Sequence, residues 1–364
     1  MRHKHYYYLS ALLIIIIIIY ICIEYFVSSN YYYDNSGRMN KIQKDLFENN
    51  KIEYNEKNWN IYIPDGYNFI DIELSKLKLN NNGKGKYIFG LYGCDWIVSK
   101  NGLWYLLVMR YGRDKARYIM PETFILHDDD DINTLKENFG NGNNLIETFI
   151  LKKNIQRKNG LKITNNKNEI LNGLKNEYKV AQKYIKNTYL VNGRKLNIRI
   201  YILAIYKRYI HFYLHRDTKC IYTNKEYKDD IDDFESNITS YNMDYVIYDK
   251  NPFSIEELNE FIYKKDGIKI DIFDKIKELM KLVSGACTKH LKKNNNIKNA
   301  TAFQLFGIDI LLTKDLIPYI LEINKGPDMK IRCQRDKLLK EKVYDDIYDK
   351  IGIIKNKNNK FIKL

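Results

Sequence analysis

The sequence predicts a mixed α/β (α+β) chain preceded by a single N-terminal transmembrane helix. Three observations carry this: an aliphatic run near the start, short apolar and aromatic runs alternating with helical patterns, and two apolar runs joined by a short polar loop near residue 314. With 364 residues, 45% hydrophobic and 14% aromatic, the chain is neither disordered nor a disulfide-knotted miniprotein. Its five cysteines contain no C-x-x-C pair and supply neither a disulfide framework nor a zinc cluster.

From Tyr6 to Val27 the only charged residue is Glu24, and Leu9 to Ile23 is almost purely aliphatic. At about 1.5 Å per residue a helix of this length reaches the roughly 30 Å of a hydrocarbon core. Tyr6, Tyr7, Tyr8, Tyr25 and Phe26 fit interfacial belts, so the expectation is a single-pass membrane protein, the side on which the rest of the chain lies left open. A signal peptide cleaved near Ser28-Ser29 is the rival reading. The sequons Asn237-Ile238-Thr239 and Asn299-Ala300-Thr301 are compatible with a lumenal face.

The net charge is +15, but only 12 of the 60 basic residues are arginine, and the lysines are spread among Asn, Ile and Tyr along the whole chain. Arginine's bidentate fork, the usual tool of specific phosphate and base recognition, is scarce, which argues against a nucleic-acid partner.

Lys86 to Gly90 and Trp104 to Met109 read as strands, as does Thr123 to Leu126, with Asp128 to Asp131 starting a helix behind it. Pro252, Ser254 and Glu257 form a capping-box pattern ahead of a helix through Leu258, Phe261 and Ile262. Ile272, Ile276, Leu279, Met280 and Val283 mark a second helix with a core-facing stripe.

The chemistry concentrates in the hairpin Phe303 to Asn324. With Lys314 and Asp315 as its turn, Leu312 faces Ile317, Asp309 faces Ile320, and Glu322 faces Gly307 with Asn324 on the same side. Asp309 and Glu322 are then diagonal neighbours about 7–8 Å apart. Two carboxylates among apolar neighbours need a cation between them, and with the amide oxygen of Asn324 they make a set that Mg2+ prefers, usually beside nucleotide phosphates. Period two in the strand beginning near Lys195 places Lys195, Asn197 and Arg199 on one face, a phosphate-facing row. A third piece, Phe149 to Lys153 followed by the basic loop Arg157 to Gly160, offers backbone amides and lysines to phosphates.

In this order the pieces resemble the tubulin-tyrosine ligase and tubulin-tyrosine ligase-like family, whose core is an ATP-grasp fold. The resemblance runs over roughly residues 85 to 330. Arg117 to Phe124 resembles the family's P-x-T-[FY] entry, Ile150-Leu151-Lys152 its nucleotide lysine, and Gln182-Lys183-Tyr184-Ile185 its adenine hinge. Lys195-Leu196-Asn197-Ile198-Arg199 is similar to K-F-D-I-R, while Phe306 to Asp309 and Leu321 to Pro327 resemble the G-x-D and L-E-x-N-x-x-P metal hairpin.

With the anchor read from the aliphatic run placed over 1–30, the rest divides into an N-terminal domain and linker over 31–125 and, as the resemblance implies, a central ATP-grasp subdomain over 126–190 and a C-terminal subdomain with the metal hairpin and a basic tail over 191–364. The resemblance also implies an ATP- and Mg2+-dependent ligase joining a free amino acid to a carboxylate of an acceptor protein, tubulin or another acidic-tailed protein, through an acyl phosphate. Asp309, Glu322 and Asn324 are then metal ligands, and Arg199 and Lys195 catalytic. Lys152, Gly160, Gln182, Lys183, Tyr184, Ile185, Lys195 and Arg199 bind ATP, and Asn197 meets substrate. Three positions depart from the pattern: the K-F-D-I-R aspartate is Asn197, Cys220 or Ile221 stands where an arginine is expected, and a later T-N reads Thr239-Ser240. Two other classes therefore stay open, a membrane-anchored ATP-binding pseudoenzyme and a basic scaffold protein, of which the scaffold gives no account of the hairpin.

Overall fold

In the computed structural model the described residues are Ile15, 30–37, 39–65, 69–79, 83–137, 139, 143–154, 160–239, 241–291 and 297–364. Among them no helix is long and apolar enough to cross a membrane. The Leu9–Ile23 run, apart from Ile15, lies outside the described residues. This corrects the expected fold class and localisation: the chain is mixed α/β without an established transmembrane helix, and its assignment as a single-pass membrane protein is withdrawn.

The strands are β1 (Tyr31–Asp34), β2 (Glu53–Tyr54), β3 (Ile61–Ile63), β4 (Tyr87–Phe89), β5 (Thr123–Ile125), β6 (Asn144–Lys153), β7 (Leu161–Asn166), β8 (Tyr178–Lys183), β9 (Leu190–Val191), β10 (Arg194–Tyr206), β11 (Ile210–His215), β12 (Lys219–Tyr222), β13 (Thr301–Leu312), β14 (Pro318–Lys325) and β15 (Phe361–Lys363). They form two sheets. The larger runs β15-β11-β10-β13-β4-β3-β1-β2, with β9 and β12 also paired to β10 and β14 to β13; the smaller runs β5-β8-β6-β7. The first and last described strands thus belong to one sheet, β1 and β2 toward one edge and β15 at the other. β13 changes neighbours along its length: Thr301–Phe303 pair β4 in parallel, and from Phe306 onward the same edge takes β14 antiparallel.

Alternation of side chains on β10 and β13 sends Ile198, Ile200, Ile308 and Ile310 into one core and Tyr201, Leu203, Phe303 and Leu305 into another. The second core is closed by the helices Lys41–Asn49 and Gln334–Ile351, the first of them capped by Asn40, whose side chain accepts from the Gln43 amide. A third core, with Phe124, Phe149 and Ile170, sits behind the smaller sheet.

The expected helices form at Ile255–Asp266, where Ser254 caps the Glu257 amide and the Glu257 carboxylate takes the Phe253 amide, and at Ile272–Cys287 with its apolar stripe buried. Trp104 to Met109, expected as a strand, lies in the helix Gly102–Tyr111. Leu103, Trp104 and Leu107 are buried while Tyr105 and Met109 are exposed, a helical rather than alternating pattern that a continuous apolar run hides.

Phe47 fastens the two terminal helices to the sheet. It is 1% exposed, with ring centroids 5.0 Å from Tyr32 and 4.9 Å from Tyr348. Phe47→Ala is expected to cost about 3–5 kcal/mol, read as a lowered denaturation midpoint. An unchanged midpoint would show that these helices add nothing to the stability of the sheet.

Candidate active site

The hairpin is built differently from its expected register. Its turn is wider, the amide of Thr313 bonding to Ile317 O and that of Leu316 to Thr313 O, with Leu316 at φ 58°. Leu312 therefore faces Pro318, and a bulge at Leu321 then makes Asp309 face Glu322 directly and Gly307 face Asn324. The two carboxylates converge more closely than a regular ladder allows. Gly307 is needed there: a Cβ on it would lie 2.6 Å from the ring of Pro327 and 3.3 Å from Cδ of Arg199.

The cations that answer these carboxylates come from other elements. On β10, Arg199 is opposite Asp309 and grips it with both prongs, Nε to Oδ1 at 2.6 Å and a terminal nitrogen to Oδ2 at 3.1 Å. Lys100, between the helices Cys94–Ile97 and Gly102–Tyr111, pairs with Glu322. Lys152 arrives from β6 in the smaller sheet, donating to Gln182 Oε1 at 2.7 Å and to the carbonyl of the bulged Leu321 at 3.4 Å. Gln182 in turn donates to Thr123 Oγ1 at 2.9 Å. The site is thus assembled from both sheets.

Burial would push the Glu322 carboxyl up, but Lys100 and Lys152, with hydrogen bonds from Lys100 and Asn324, hold it down at about 2. Burial, with Lys100 beside it, brings the Lys152 ammonium down to about 8 against the pull of Glu322 and Asp309. The Arg199 guanidinium, which burial alone would weaken, is held above its ordinary value by Asp309. Asn324 turns its amide nitrogen to Glu322 Oε1 at 3.1 Å, which leaves its carbonyl oxygen as a donor. Carboxylate and amide oxygens of Asp309, Glu322 and Asn324 together fit a hard divalent cation.

Lys195 stands four residues from Arg199 on the same strand, about 13 Å away at the usual strand rise. The Lys195 ammonium lies 4.4 Å from the ring centroid of Tyr184 and 4.0 Å from that of Tyr227, donates to Tyr184 Oη, and is 3.4 Å from Asn237 Oδ1. Burial brings it down to about 7, Asp229 opposing and Lys186 adding to the fall. Between these two ends Asn197 donates to Thr239 Oγ1 at 2.7 Å and faces Ile221 across the ladder, so two of the departures from the family pattern are strand neighbours.

The remaining expected residues lie apart from the carboxylates. Lys183 pairs with Glu122 and Glu147. The amides of Lys183 and Tyr184 are taken by the carbonyls of Glu122 and Thr148; among the described residues the Ile185 amide has no partner. Gly160 is buried just before β7, after residues 155–159, which are not described, so the basic-loop reading falls there.

Lys100, Tyr227 and Asn237 were not expected in the site. Nothing local distinguishes Lys100 from other lysines except the Gly102 behind it, whose Cβ would strike Trp96 O at 1.9 Å. Asn237 is 6% exposed and its side chain is held by Tyr184, Asp230 and Asp233, so its sequon is closed to glycosylation in the folded chain.

Comparison with known proteins finds a match over residues 79–360 to the family model described as "Tubulin-tyrosine ligase family". The chain is 28% identical over 184 residues to the "Probable tubulin polyglutamylase ttll-9" of Caenorhabditis elegans, covering 48% of this chain and 43% of that protein. It is 27% identical to the "Probable tubulin polyglutamylase TTLL9" of Rattus norvegicus, covering 46% and 37%. To the human "Inactive polyglycylase TTLL10" it is 26% identical, covering 48% and 27%. The chain therefore spans less than half the length of these relatives.

The cage around Lys195 has a pH signature. Below about pH 7 its amine is charged in both folded and unfolded chains. Between there and the ordinary lysine value the unfolded chain still binds a proton that the folded chain has shed, so stability rises with pH. The stability of the parent minus that of Lys195→Met is expected to grow from about pH 6 to about pH 9, measured as denaturation midpoints. A difference that stays flat or falls would return the Lys195 amine to an ordinary environment.

Proposed function

The chain belongs to the tubulin-tyrosine ligase family, and from that premise we propose that it is an ATP- and Mg2+-dependent carboxylate–amine ligase. It joins a free amino acid to a carboxylate of an acceptor protein, tubulin or another acidic-tailed protein. The observation that carries this reading is the convergence of Asp309, Glu322 and Asn324 beside Arg199 and Lys152.

In this reading the acceptor carboxylate attacks the γ-phosphorus of ATP, releasing ADP and leaving an acyl phosphate. The amine of the incoming amino acid then attacks the acyl carbon, forming the C–N bond and releasing phosphate. No side-chain nucleophile is needed. Asp309, Glu322 and Asn324 would hold magnesium, which when bound neutralises charge between the β- and γ-phosphates. Arg199, pre-oriented by its two bonds to Asp309, offers its remaining N–H groups to the phosphoryl group in transfer, and Lys152 grips a phosphate from the smaller sheet. Lys195 and the hinge Gln182–Ile185 serve the nucleoside end, with Gly160 and Lys183 at the rim of the same subdomain. The boundaries 31–125, 126–190 and 191–364 are retained as its N-terminal, central and C-terminal parts.

A second reading, nucleotide binding without turnover, is favoured by one observation: Asn197 and Ile221, directly opposed, present a neutral floor where the family pattern carries charge. ADP release on mixing ATP with acceptor carboxylates and amines separates the two, because a non-turning protein binds ATP and releases none.

Magnesium with a non-hydrolysable ATP analogue is expected to raise the melting temperature of the parent. Glu322→Gln keeps volume and hydrogen-bonding capacity; its apo form should fold while magnesium-dependent nucleotide affinity falls by more than the roughly 10–100-fold that outer-shell changes cost. Asn324→Asp should be milder, since a carboxylate replaces the amide oxygen. Binding by Glu322→Gln equal to the parent's would remove Glu322 from the ligand set.

A further inference from the structure

Lys325 follows Asn324 on β14, is 4% exposed, and has no part in the chemistry above. Its ammonium pairs with Asp95 on the short helix Cys94–Ile97. The other Asp95 oxygen accepts the Asp71 amide at 2.9 Å, and the Asp71 carboxylate accepts the Gly93 amide at 2.8 Å, so the acid is itself anchored. Five residues beyond Asp95, Lys100 holds Glu322.

The two ion pairs have crossed polarity. An acid of the 94–102 segment holds a base of the strand, and a base of the segment holds an acid of the strand. Glu322 and Lys325 are three residues apart, so they project from opposite faces of β14. Among the described residues β14 pairs only with β13, and its outer edge has no strand partner. An edge strand with a ladder on one side depends for its other side on isolated contacts, here the Ile320 amide on the Ile119 carbonyl at 2.9 Å and side-chain anchors such as these.

We propose that Lys325 is a positioning residue: through Asp95 it fixes the outer edge of β14 from the face opposite the site and so sets where Glu322 and Asn324 present their oxygens to Asp309. The inference rests on the magnesium-nucleotide reading of that site. A buried ion pair contributes little net stability over apolar replacements, so its effect belongs in ligand geometry rather than in the fold.

The test is calorimetric titration of the whole chain with magnesium and a non-hydrolysable ATP analogue. The parent comes first: no binding there overturns the nucleotide reading. With the parent binding, Lys325→Met combined with Asp95→Asn removes both charges. This pair is expected to keep the apo melting temperature within a few degrees while magnesium-dependent affinity falls about tenfold. Lys325→Arg, which retains the charge, should recover most of that loss. Asp95→Asn alone keeps shape and should reproduce the loss if the double variant does not fold. Parental affinity in a folded charge-free variant, or no recovery with Lys325→Arg, overturns the assignment.

Discussion

The bidentate pair between Arg199 and Asp309 is the interaction on which the rest of the site depends. Both groups lie on the floor of the large sheet, on adjacent strands and directly opposite each other. Removing either would leave a buried charge unanswered, at a cost of about 3–5 kcal/mol. The pair also fixes the register of β10 against β13, from Asn197 opposite Leu311 to Tyr206 opposite Ala302. Because Asp309 is held, the bulge at Leu321 has a fixed target, and Glu322 meets it across the hairpin rather than sliding past.

From this pair outward, signs alternate. Glu322 adds a second negative group, Lys100 and Lys152 return positive charge from two other elements, and Asp95 with Lys325 repeats the exchange behind the strand. Burial, with Lys100 beside it, brings the Lys152 ammonium down, while Lys100 and Lys152 hold the Glu322 carboxyl low against burial. Such an arrangement tolerates a divalent cation among its carboxylates without collapsing in its absence, since the lysines already temper their repulsion.

Much of this was legible in the sequence. Alternation on Lys195–Arg199 is a period-two signal, and Glu322 and Asn324 share a face in any register; Asp309 joins them only because the bulge at Leu321 restores the parity that the wider turn shifts by one. The register itself could not be read, because a left-handed Leu316 and a bulge at Leu321 are backbone events without a residue signature; neither site carries glycine or proline. The helix at Trp104 was hidden because an unbroken apolar run carries no period. Lys100 and Asn237 escaped for a different reason: they enter the site through tertiary packing, and neither the Gly102 beside the one nor the sequon at the other says what its side chain meets.

The strand β10 has a further consequence for how the site works. It carries Lys195 at one end of the floor and Arg199 at the other, and a strand cannot change that spacing when subdomains move. Lys152 and Gln182, by contrast, belong to the smaller sheet, and of the two Lys152 touches the floor, through one long hydrogen bond to Leu321. Any closing motion therefore acts on the groups arriving from above while the floor keeps its length. In that division the neutral stretch at Asn197 and Ile221 lies on the rigid half, between the caged amine and the paired guanidinium. Its neutrality is then a fixed property of the chain's own β10 and β12.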